Sequence, residues 1–240
     1  MSDYVKNYIY QEHIRVKHVV IEDAIEEICN MQQFDKTDKM LFTPAALFAA
    51  AYASEQKNDS GSAYVSYKYP KQNRSYTAIC ETDGRIRGYQ ESYTPPDSNA
   101  ENILLIAGVK LAARGDYQSA VMAQDVEAAT QAFFNNSSQT EAALRFGSNE
   151  LLWVEYLPGH GNAASDAQRQ KIRKELSDVI KDVRASEMKF LSELPISFGC
   201  TCSKRKIKQT IDTAQIKNLE FPLEVTCKFC GKKYSITEIS

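Results

Sequence analysis

The sequence lacks any apolar run that approaches the roughly 20 residues needed to cross a bilayer as a helix. Its first residues, M-S-D-Y-V-K-N-Y, are polar and do not resemble a signal peptide. The formal net charge is only −2, which gives no general attraction to nucleic acid. We therefore expect a cytoplasmic protein that binds neither membranes nor nucleic acid.

Catalytic patterns are also missing. His13, His18 and His160 show no metal-ligand spacing, and we find no phosphate-binding loop, dinucleotide fingerprint or Ser/His/Asp arrangement. We therefore expect a protein that is not an enzyme. Trp153 is the single tryptophan, and we interpret it as a packing residue of a sheet, with a hydrophobic surface that binds other proteins as the alternative.

The order of the predicted elements indicates an α+β fold, because hairpins dominate and parallel crossovers are few. Helices are predicted from Asp23, from Thr43-Pro44 with threonine as N-cap, and from Asp125. Cys29 and Cys80 fall on apolar faces and are predicted to be core residues. Strand patterns occupy 14–21, 62–69, 76–81, 86–90, 103–106, 109–113, 117–122, 140–146 and 151–158.

Four cysteines near the C-terminus form the most informative pattern in the chain. Cys200 and Cys202 form a C-x-C pair, and Cys227 and Cys230 form a C-x-x-C pair after 24 intervening residues. Four thiolates at this spacing can surround one tetrahedral metal ion, and Zn²⁺ is the usual occupant of such a site. The segment 196–240 is short enough for its fold to depend on that metal.

The cysteine spacing leaves two questions open. A framework of disulfides is an alternative to zinc, but it needs an oxidising compartment. A zinc site can be a static scaffold, or its thiolates can react with oxidants and release the metal, since either pair can close a local disulfide. Spacing alone does not decide between a structural site and a redox switch.

The segment between the predicted core and the cysteines is charged and has helical periodicity. Over 166–194 we predict an amphipathic helix whose apolar stripe is docked on the core. If the tail unfolds, this helix loses its anchor and its stripe becomes exposed. An exposed stripe of this kind can bind unfolding proteins, which we call clients. The candidate client-binding residues are Ile172, Leu176, Val179 and Val183 of the stripe, together with Trp153.

The tail resembles that of the 33 kDa chaperonins, a family of redox-regulated heat-shock holdases. Weaker matches, D-G-R-I-R-G-Y at 83–89 among them, follow in the family's order through most of the chain. The stretch between the cysteine pairs is shorter than is usual in that family. The matching tail residues are Phe198, Cys200, Cys202, Ser203, Lys204, Val225, Thr226, Cys227, Phe229, Cys230, Gly231 and Tyr234.

The resemblance implies a fold, a cofactor and a mechanism. The expected fold is an antiparallel α+β core over 1–165, an amphipathic helical linker over 166–195 and a zinc-binding redox-switch domain over 196–240. One Zn²⁺ is expected on the four cysteines of the reduced, inactive protein. Oxidation is expected to form Cys200–Cys202 and Cys227–Cys230 disulfides and release zinc. The protein then holds unfolding clients without ATP, with a homodimer as its active form.

Two other classes of function remain alternatives. The first is a constitutive zinc-ribbon adaptor that binds nucleic acid or a protein partner, because the tail has 8 Lys and Arg against 4 Asp and Glu. A four-thiolate zinc site adds negative charge and weakens this argument. The second is a hydrolase or transferase with a structural zinc, which no catalytic pattern supports.

Overall fold

A computed structural model of the chain describes residues 2–56, 60–97, 100–113, 115–137, 141–157, 166–182, 188–213 and 221–238. Two large sheets, a two-stranded ribbon and five helices lie within these ranges, which confirms the predicted α+β class. Among the described helices, none has both the length and the apolar composition needed to span a bilayer. His160 lies outside the described residues.

The first sheet has five antiparallel strands in the order β10-β1-β2-β9-β8. It joins the two ends of the core, since β1 and β10 pair across most of the chain length. Its strands are β1 (Tyr4–Tyr10), β2 (Ile14–Val20), β8 (Ala142–Phe146), β9 (Glu150–Tyr156) and β10 (Met188–Pro195).

The second sheet has six strands in the order β11-β5-β4-β3-β6-β7. Asp83 and Gly84 form the turn between β4 and β5, and Gly84 has a φ of 90°, which favours glycine. The short β11 pairs with β5 in parallel and brings the tail onto this sheet. The strands are β3 (Gly61–Tyr69), β4 (Arg74–Glu81), β5 (Arg85–Ser92), β6 (Ile103–Leu111), β7 (Gly115–Ala123) and β11 (Ser197–Phe198).

The main core lies between the two sheets and is built around one helix, α2 (Lys36–Ala53). Phe42, Leu47 and Phe48 of this helix are fully buried. The helices α1 (Asp23–Gln32) and α3 (Val126–Ser137) close the same core. Cys29 and Cys80 are buried in it, as predicted.

The start of α2 corrects a prediction. Thr43 and Pro44 lie inside the helix, and its N-cap is Asp35, whose side chain accepts from the backbone N–H of Asp38. Pro44 lacks the N–H that would donate to the carbonyl of Met40, and the Thr43 hydroxyl donates to the neighbouring carbonyl, that of Lys39, at 2.8 Å. Asp38 returns the contact by accepting from the backbone N–H of Asp35, which completes a capping box.

Asp35→Ala is expected to lower the free energy of unfolding by about 1 kcal/mol, because an orphan N–H of the central helix loses its acceptor. The measurement is the midpoint of urea unfolding followed by circular dichroism. Lys36→Ala, at an exposed neighbouring position, is the matched control and is expected to leave the midpoint unchanged. Equal midpoints for both variants would contradict the assigned cap.

The segment predicted as one helix over 166–194 is divided into two elements. The helix α4 (Asp166–Asp182) occupies its first part, but 188–194 belong to the edge strand β10, so the helical prediction is wrong there. Phe190 and Leu191 are therefore strand residues, 53% and 49% exposed, and not part of a helical stripe. Backbone pairing with β1 outweighs the helical spacing of the apolar residues. Val183 lies outside the described residues.

The outer face of the five-stranded sheet is covered by α4. Ile172, Leu176 and Ile180 of the helix are buried against Val16 and Val154 of the sheet, and Val179 packs beside them. Trp153 belongs to the opposite, inner face, where its ring lies 4.3 Å from that of Phe134. The predicted packing role of Trp153 is confirmed, since it is 3% exposed.

Candidate metal centre

The four cysteines of the tail come together at one point. Cys200 and Cys202 lie between β11 and the helix α5 (Lys204–Thr213), and Cys227 and Cys230 lie between β12 (Leu223–Thr226) and β13 (Lys233–Ile236). The Cys200–Cys227 sulfurs are 3.6 Å apart and the Cys202–Cys230 sulfurs are 3.5 Å apart. All four sulfurs lie within 4.8 Å of one another.

These separations fit a tetrahedral zinc site. Metal–sulfur bonds of about 2.3 Å give a tetrahedron whose edges are about 3.8 Å. A disulfide would need sulfurs at about 2.05 Å, so the arrangement is that of four separate thiols. Four half-buried sulfurs with no histidine or carboxylate among them form the donor set that Zn²⁺ favours.

Hydrogen bonds of the local backbone fix the positions of the cysteines on both sides of the cluster. After the C-x-x-C pair, Gly231 has a φ of 68°, and its N–H donates to the carbonyl of Cys227 at 2.8 Å. The N–H of Cys227 donates to the carbonyl of Lys232 at 2.9 Å, which closes the turn. On the other side, Ser203 accepts from the backbone N–H of Lys206 and starts α5 directly after the C-x-C pair. We call the turn 227–231 the knuckle.

Tyr234 of β13 supports the site from outside the ligand set. Its hydroxyl lies 3.0 Å from the sulfur of Cys202 and 3.2 Å from the Cys202 carbonyl oxygen, so its single hydrogen is shared between these two acceptors. Burial raises the pKa of Cys202, but hydrogen bonds from Tyr234 and the neighbouring thiols outweigh it and lower this pKa to about 7. Burial raises the pKa of Cys200. The site therefore favours thiolate at one sulfur even before a cation is considered.

Tyr234→Phe is expected to speed oxidation of the tail by peroxide about two- to tenfold. In the zinc-loaded protein the Cys202 sulfur is thiolate with or without Tyr234. A hydrogen bond of about 0.5–1.5 kcal/mol to this thiolate lowers its nucleophilicity, and the phenylalanine variant lacks the bond. The measurement is the rate of zinc release under excess peroxide, followed with a chromogenic chelator. Tyr117→Phe, on an exposed position of β7, is the control. A rate that is unchanged or slower in the Tyr234 variant would contradict this role.

The knuckle is bonded to the core at its backbone. The side-chain amide of Gln32, the last residue of α1, donates to the carbonyl of Lys228 at 2.8 Å and to that of Phe229 at 3.1 Å. Lys228 and Phe229 are the two residues between Cys227 and Cys230, so Gln32 binds the backbone of the turn that carries these two sulfurs. The C-terminal end of α1 is therefore hydrogen-bonded to the turn that carries Cys227 and Cys230.

The side chains of the knuckle dock on β5 of the six-stranded sheet. The rings of Phe229 and Tyr89 meet edge to face with centroids 5.1 Å apart, and the guanidinium of Arg87 lies 5.1 Å from the Phe229 centroid. The ammonium of Lys228 lies 3.5 Å from the Tyr89 centroid and 3.0 Å from a carboxylate oxygen of Glu91. Burial lowers the pKa of Lys228, but Tyr89 and Glu91 outweigh it and raise this pKa.

Sequence reasoning identified the four sulfurs but missed this docking surface. Gln32, Arg87, Tyr89 and Glu91 come from a helix end and one strand, and no spacing rule connects them with the tail. The one available signal was Phe229, an aromatic residue inside a short metal-binding turn, where its ring has no local core to join. Ile172, Leu176 and Val179, the described candidate client residues of α4, are separated from this surface, since they pack on the other sheet.

A family model described as "Hsp33 protein" matches residues 3–237 of the chain. Among curated proteins, the 33 kDa chaperonin of Lactobacillus helveticus is 36% identical over 67 residues, 25% of this chain and 23% of that protein. The 33 kDa chaperonin of Caldanaerobacter subterraneus is 32% identical over 94 residues, 36% of this chain and 31% of that protein. These alignments therefore cover less than half of the curated relatives' length.

A solved structure supports the fold over a longer range. The crystal structure of the 33 kDa chaperonin from Thermotoga maritima matches with a TM-score of 0.70 and 17% sequence identity. The match covers 99% of this chain and 95% of the Thermotoga chain. At this identity the likeness concerns the fold.

Proposed function

We propose, from the premise that this chain belongs to the Hsp33 protein family, that it is a redox-regulated, ATP-independent chaperone that binds unfolding proteins. The observation that carries the proposal is the cluster of four sulfurs within 4.8 Å, on a tail docked to the core through the same cysteine turn. The proposed division is a core over 1–165, a linker over 166–195 and a redox-switch domain over 196–240.

In the reduced protein, Cys200, Cys202, Cys227 and Cys230 hold one Zn²⁺. Bound Zn²⁺ supplies folding free energy, about 10–16 kcal/mol in small zinc-binding peptides. Within the described tail, Ile211 and Ile236 are the buried hydrophobic residues beyond Ile196, so its own core is small. The tail therefore depends on its sulfur cluster for its fold, and the docked state depends on the tail.

Oxidation removes the ligands in pairs. Two thiolates, Cys200 with Cys202 or Cys227 with Cys230, give up two electrons and form one disulfide, while a peroxide is reduced to two hydroxide ions. Four thiolates consume two peroxides in this way and leave no anionic sulfur for the metal. A disulfide between Cys227 and Cys230 changes the turn that presents the backbone carbonyls of Lys228 and Phe229 to Gln32.

The effect of zinc release is transmitted from the tail to the linker helix α4 through β10. Just before the cysteines, the backbone N–H of Ser197 donates to the carbonyl of Gly84 in the β4–β5 turn, and that of Ile196 donates to the carbonyl of Asp3, next to β1. The residues that precede Ile196 form β10, an edge strand whose side chains are mostly exposed, and α4 comes before β10 in the chain. When the tail undocks, β10 loses its fixed end, and α4 is held only by its own contacts with the five-stranded sheet and its neighbourhood. These are its apolar contacts and polar ones such as Arg173 with Glu141 at 2.6 Å and Tyr156 with Glu175 at 2.9 Å. A charged helix of this length is marginal once separated from its sheet.

The partners of the active protein are then unfolded or misfolded proteins. Detachment of α4 uncovers Ile172, Leu176 and Val179 together with the outer face of the five-stranded sheet. Newly exposed apolar surface binds apolar segments of other chains and needs no nucleotide for this step. A homodimer of the oxidised form and a cytoplasmic location belong to the same proposal.

The test combines zinc release with client protection. Reduced, zinc-loaded protein is treated with peroxide or hypochlorite, zinc is followed with a chromogenic chelator, and light scattering reports aggregation of a heat-denatured client. We expect suppression of aggregation to rise in step with zinc release and to fall after reduction in the presence of zinc. Suppression that is the same before and after oxidation would refute the switch.

A further inference from the structure

We propose that the surface formed by Gln32, Arg87, Tyr89 and Glu91 is a second client-binding site, which Lys228 and Phe229 occupy in the zinc-loaded protein as a tethered pseudo-client. The site selects client segments in which a lysine or arginine precedes an aromatic residue. This inference rests on the proposed chaperone function, because the site opens only when the knuckle leaves. We call these four residues the latch surface.

The latch surface recognises a peptide backbone. Gln32 donates its two amide hydrogens to successive carbonyl oxygens, at 2.8 Å and 3.1 Å, and uses no side chain of the knuckle. Every peptide offers such carbonyls, so this contact is independent of client sequence. It is the same kind of contact that peptide-binding proteins use for affinity, with side-chain positions left to supply selectivity.

The aromatic position is defined by two core residues. Phe229 is held between the Tyr89 ring at 5.1 Å and the Arg87 guanidinium at 5.1 Å. Arg87 is itself fixed by an ion pair with Glu81 at 2.6 Å, and its side chain is only 12% exposed. The binding position of the Phe229 ring is therefore preformed, and any aromatic side chain placed there can make the same edge-to-face and cation–π contacts.

The position before the aromatic residue favours a cation. Lys228 lies over the Tyr89 ring at 3.5 Å and pairs with Glu91 at 3.0 Å. An acidic residue at this position would meet the Glu91 carboxylate and the negative face of the ring. The Lys228 and Glu91 side chains are 52% and 54% exposed, so their ion pair adds little to the binding affinity of a client segment. Its main effect is a preference for a basic over an acidic residue at this position.

The tethered occupant explains how such a site stays closed. A segment of the same chain acts at an effective concentration in the millimolar range, which outcompetes free clients that are scarcer than that. The turn that presents Lys228 and Phe229 contains two of the metal ligands, so loss of the ion removes the competitor. Zinc release thereby opens a site with defined chemistry on the core, on the sheet opposite to α4.

The experiment uses full-length protein and short fluorescein-labelled glycine–serine peptides with Lys-Phe, Glu-Phe or Lys-Ala at the centre. Fluorescence anisotropy is measured with the zinc-loaded and with the peroxide-oxidised protein, and client aggregation is measured on the same samples. We expect the oxidised protein to bind Lys-Phe about two- to fivefold better than Glu-Phe and about tenfold better than Lys-Ala. The zinc-loaded protein is expected to bind all three more weakly.

Two variants locate the binding on the latch surface. Tyr89→Ala should lower the affinity of the oxidised protein for Lys-Phe about tenfold, and Glu91→Lys should reverse the preference so that Glu-Phe binds better. Asp116→Lys, an exposed position on the far strand of the same sheet, controls for the change in total charge and should preserve the preference. Reversal by Glu91→Lys alone would separate a local site from general electrostatic attraction.

The outcomes distinguish this site from the switch itself. If oxidised protein suppresses client aggregation but binds Lys-Phe and Glu-Phe equally, or binds neither, the latch site is refuted and the proposed function stands. If oxidation brings no suppression while the oxidised protein still binds Lys-Phe selectively, the chaperone function is refuted and the peptide site stands. Unchanged binding in Tyr89→Ala would also refute the site.

Discussion

Cys230→Ser is expected to produce a protein that contains no stoichiometric zinc and suppresses client aggregation without any oxidant. Serine supplies no thiolate, so the cluster keeps three sulfurs of its four and its affinity for Zn²⁺ collapses. Without the ion the small tail loses folding free energy on the order of 10 kcal/mol, more than its few buried side chains can replace. The knuckle then loses the turn that Gln32 and Tyr89 bind.

The measurements are metal content of protein purified under reducing conditions and light scattering of a heat-denatured client. Ser235→Ala, at an exposed position of β13 in the same tail, is the matched control and should keep its zinc and remain inactive until oxidised. A Cys230→Ser protein that lacks zinc yet remains as inactive as the reduced wild type would show that the ion does not restrain activity.

Leu176→Asp is expected to release the linker helix while zinc stays bound. Leu176 is fully buried between α4 and the outer face of the five-stranded sheet. Replacing it removes about 2–5 kcal/mol of packing and places a carboxylate in an apolar contact, which adds a further penalty. The helix has a largely exposed charged face and few other buried residues, so it cannot absorb this loss.

The expected result is suppression of aggregation by reduced, zinc-loaded protein, with faster amide exchange in 166–182 and unchanged exchange in 196–213. Lys174→Asp, on the exposed side of the same helix, is the control and should leave both properties unchanged. If exchange shows that α4 has detached but aggregation is not suppressed, the apolar stripe is not a client surface. This variant thus separates the linker from the metal.

The cluster of four cysteines was predictable because its signal is local. Thiolates two and three positions apart have few structural uses in a reduced protein, and the structure brings all four sulfurs together as the spacing indicates. The hairpin at Asp83-Gly84 was predictable for a similar reason, since the turn requires a positive φ that glycine supplies. In both cases a few neighbouring residues determine the outcome.

Elements that depend on distant partners were not predictable. The segment 188–194 has apolar residues at helical spacing, but it forms an edge strand because β1, near the other end of the chain, offers a ladder of backbone partners. The docking surface depends on a similar encounter between α1, β5 and the knuckle. The start of α2 was misread because Thr43-Pro44 resembles a cap, whereas the reciprocal bonds of Asp35 and Asp38 form the actual one.

The structure also changes the route by which, in our proposal, the tail controls the helix α4. A continuous helix would couple the two directly, but α4 lies on one sheet and the knuckle docks on the other. The connection through β10 has few buried side chains, so it can fail without disrupting the main core around α2. We therefore expect the switch to leave the core folded, which a holdase needs if it is to return to its closed form.

Hydrogen exchange measured by mass spectrometry on the full chain, with and without a zinc chelator under reducing conditions, tests the central claim directly. We predict that chelation removes protection from 196–213 and 221–238 and lowers it in β10 and α4, while α2 and the middle strands of the six-stranded sheet stay protected. Equal protection of the tail and of α4 in the presence and absence of the metal would contradict the account.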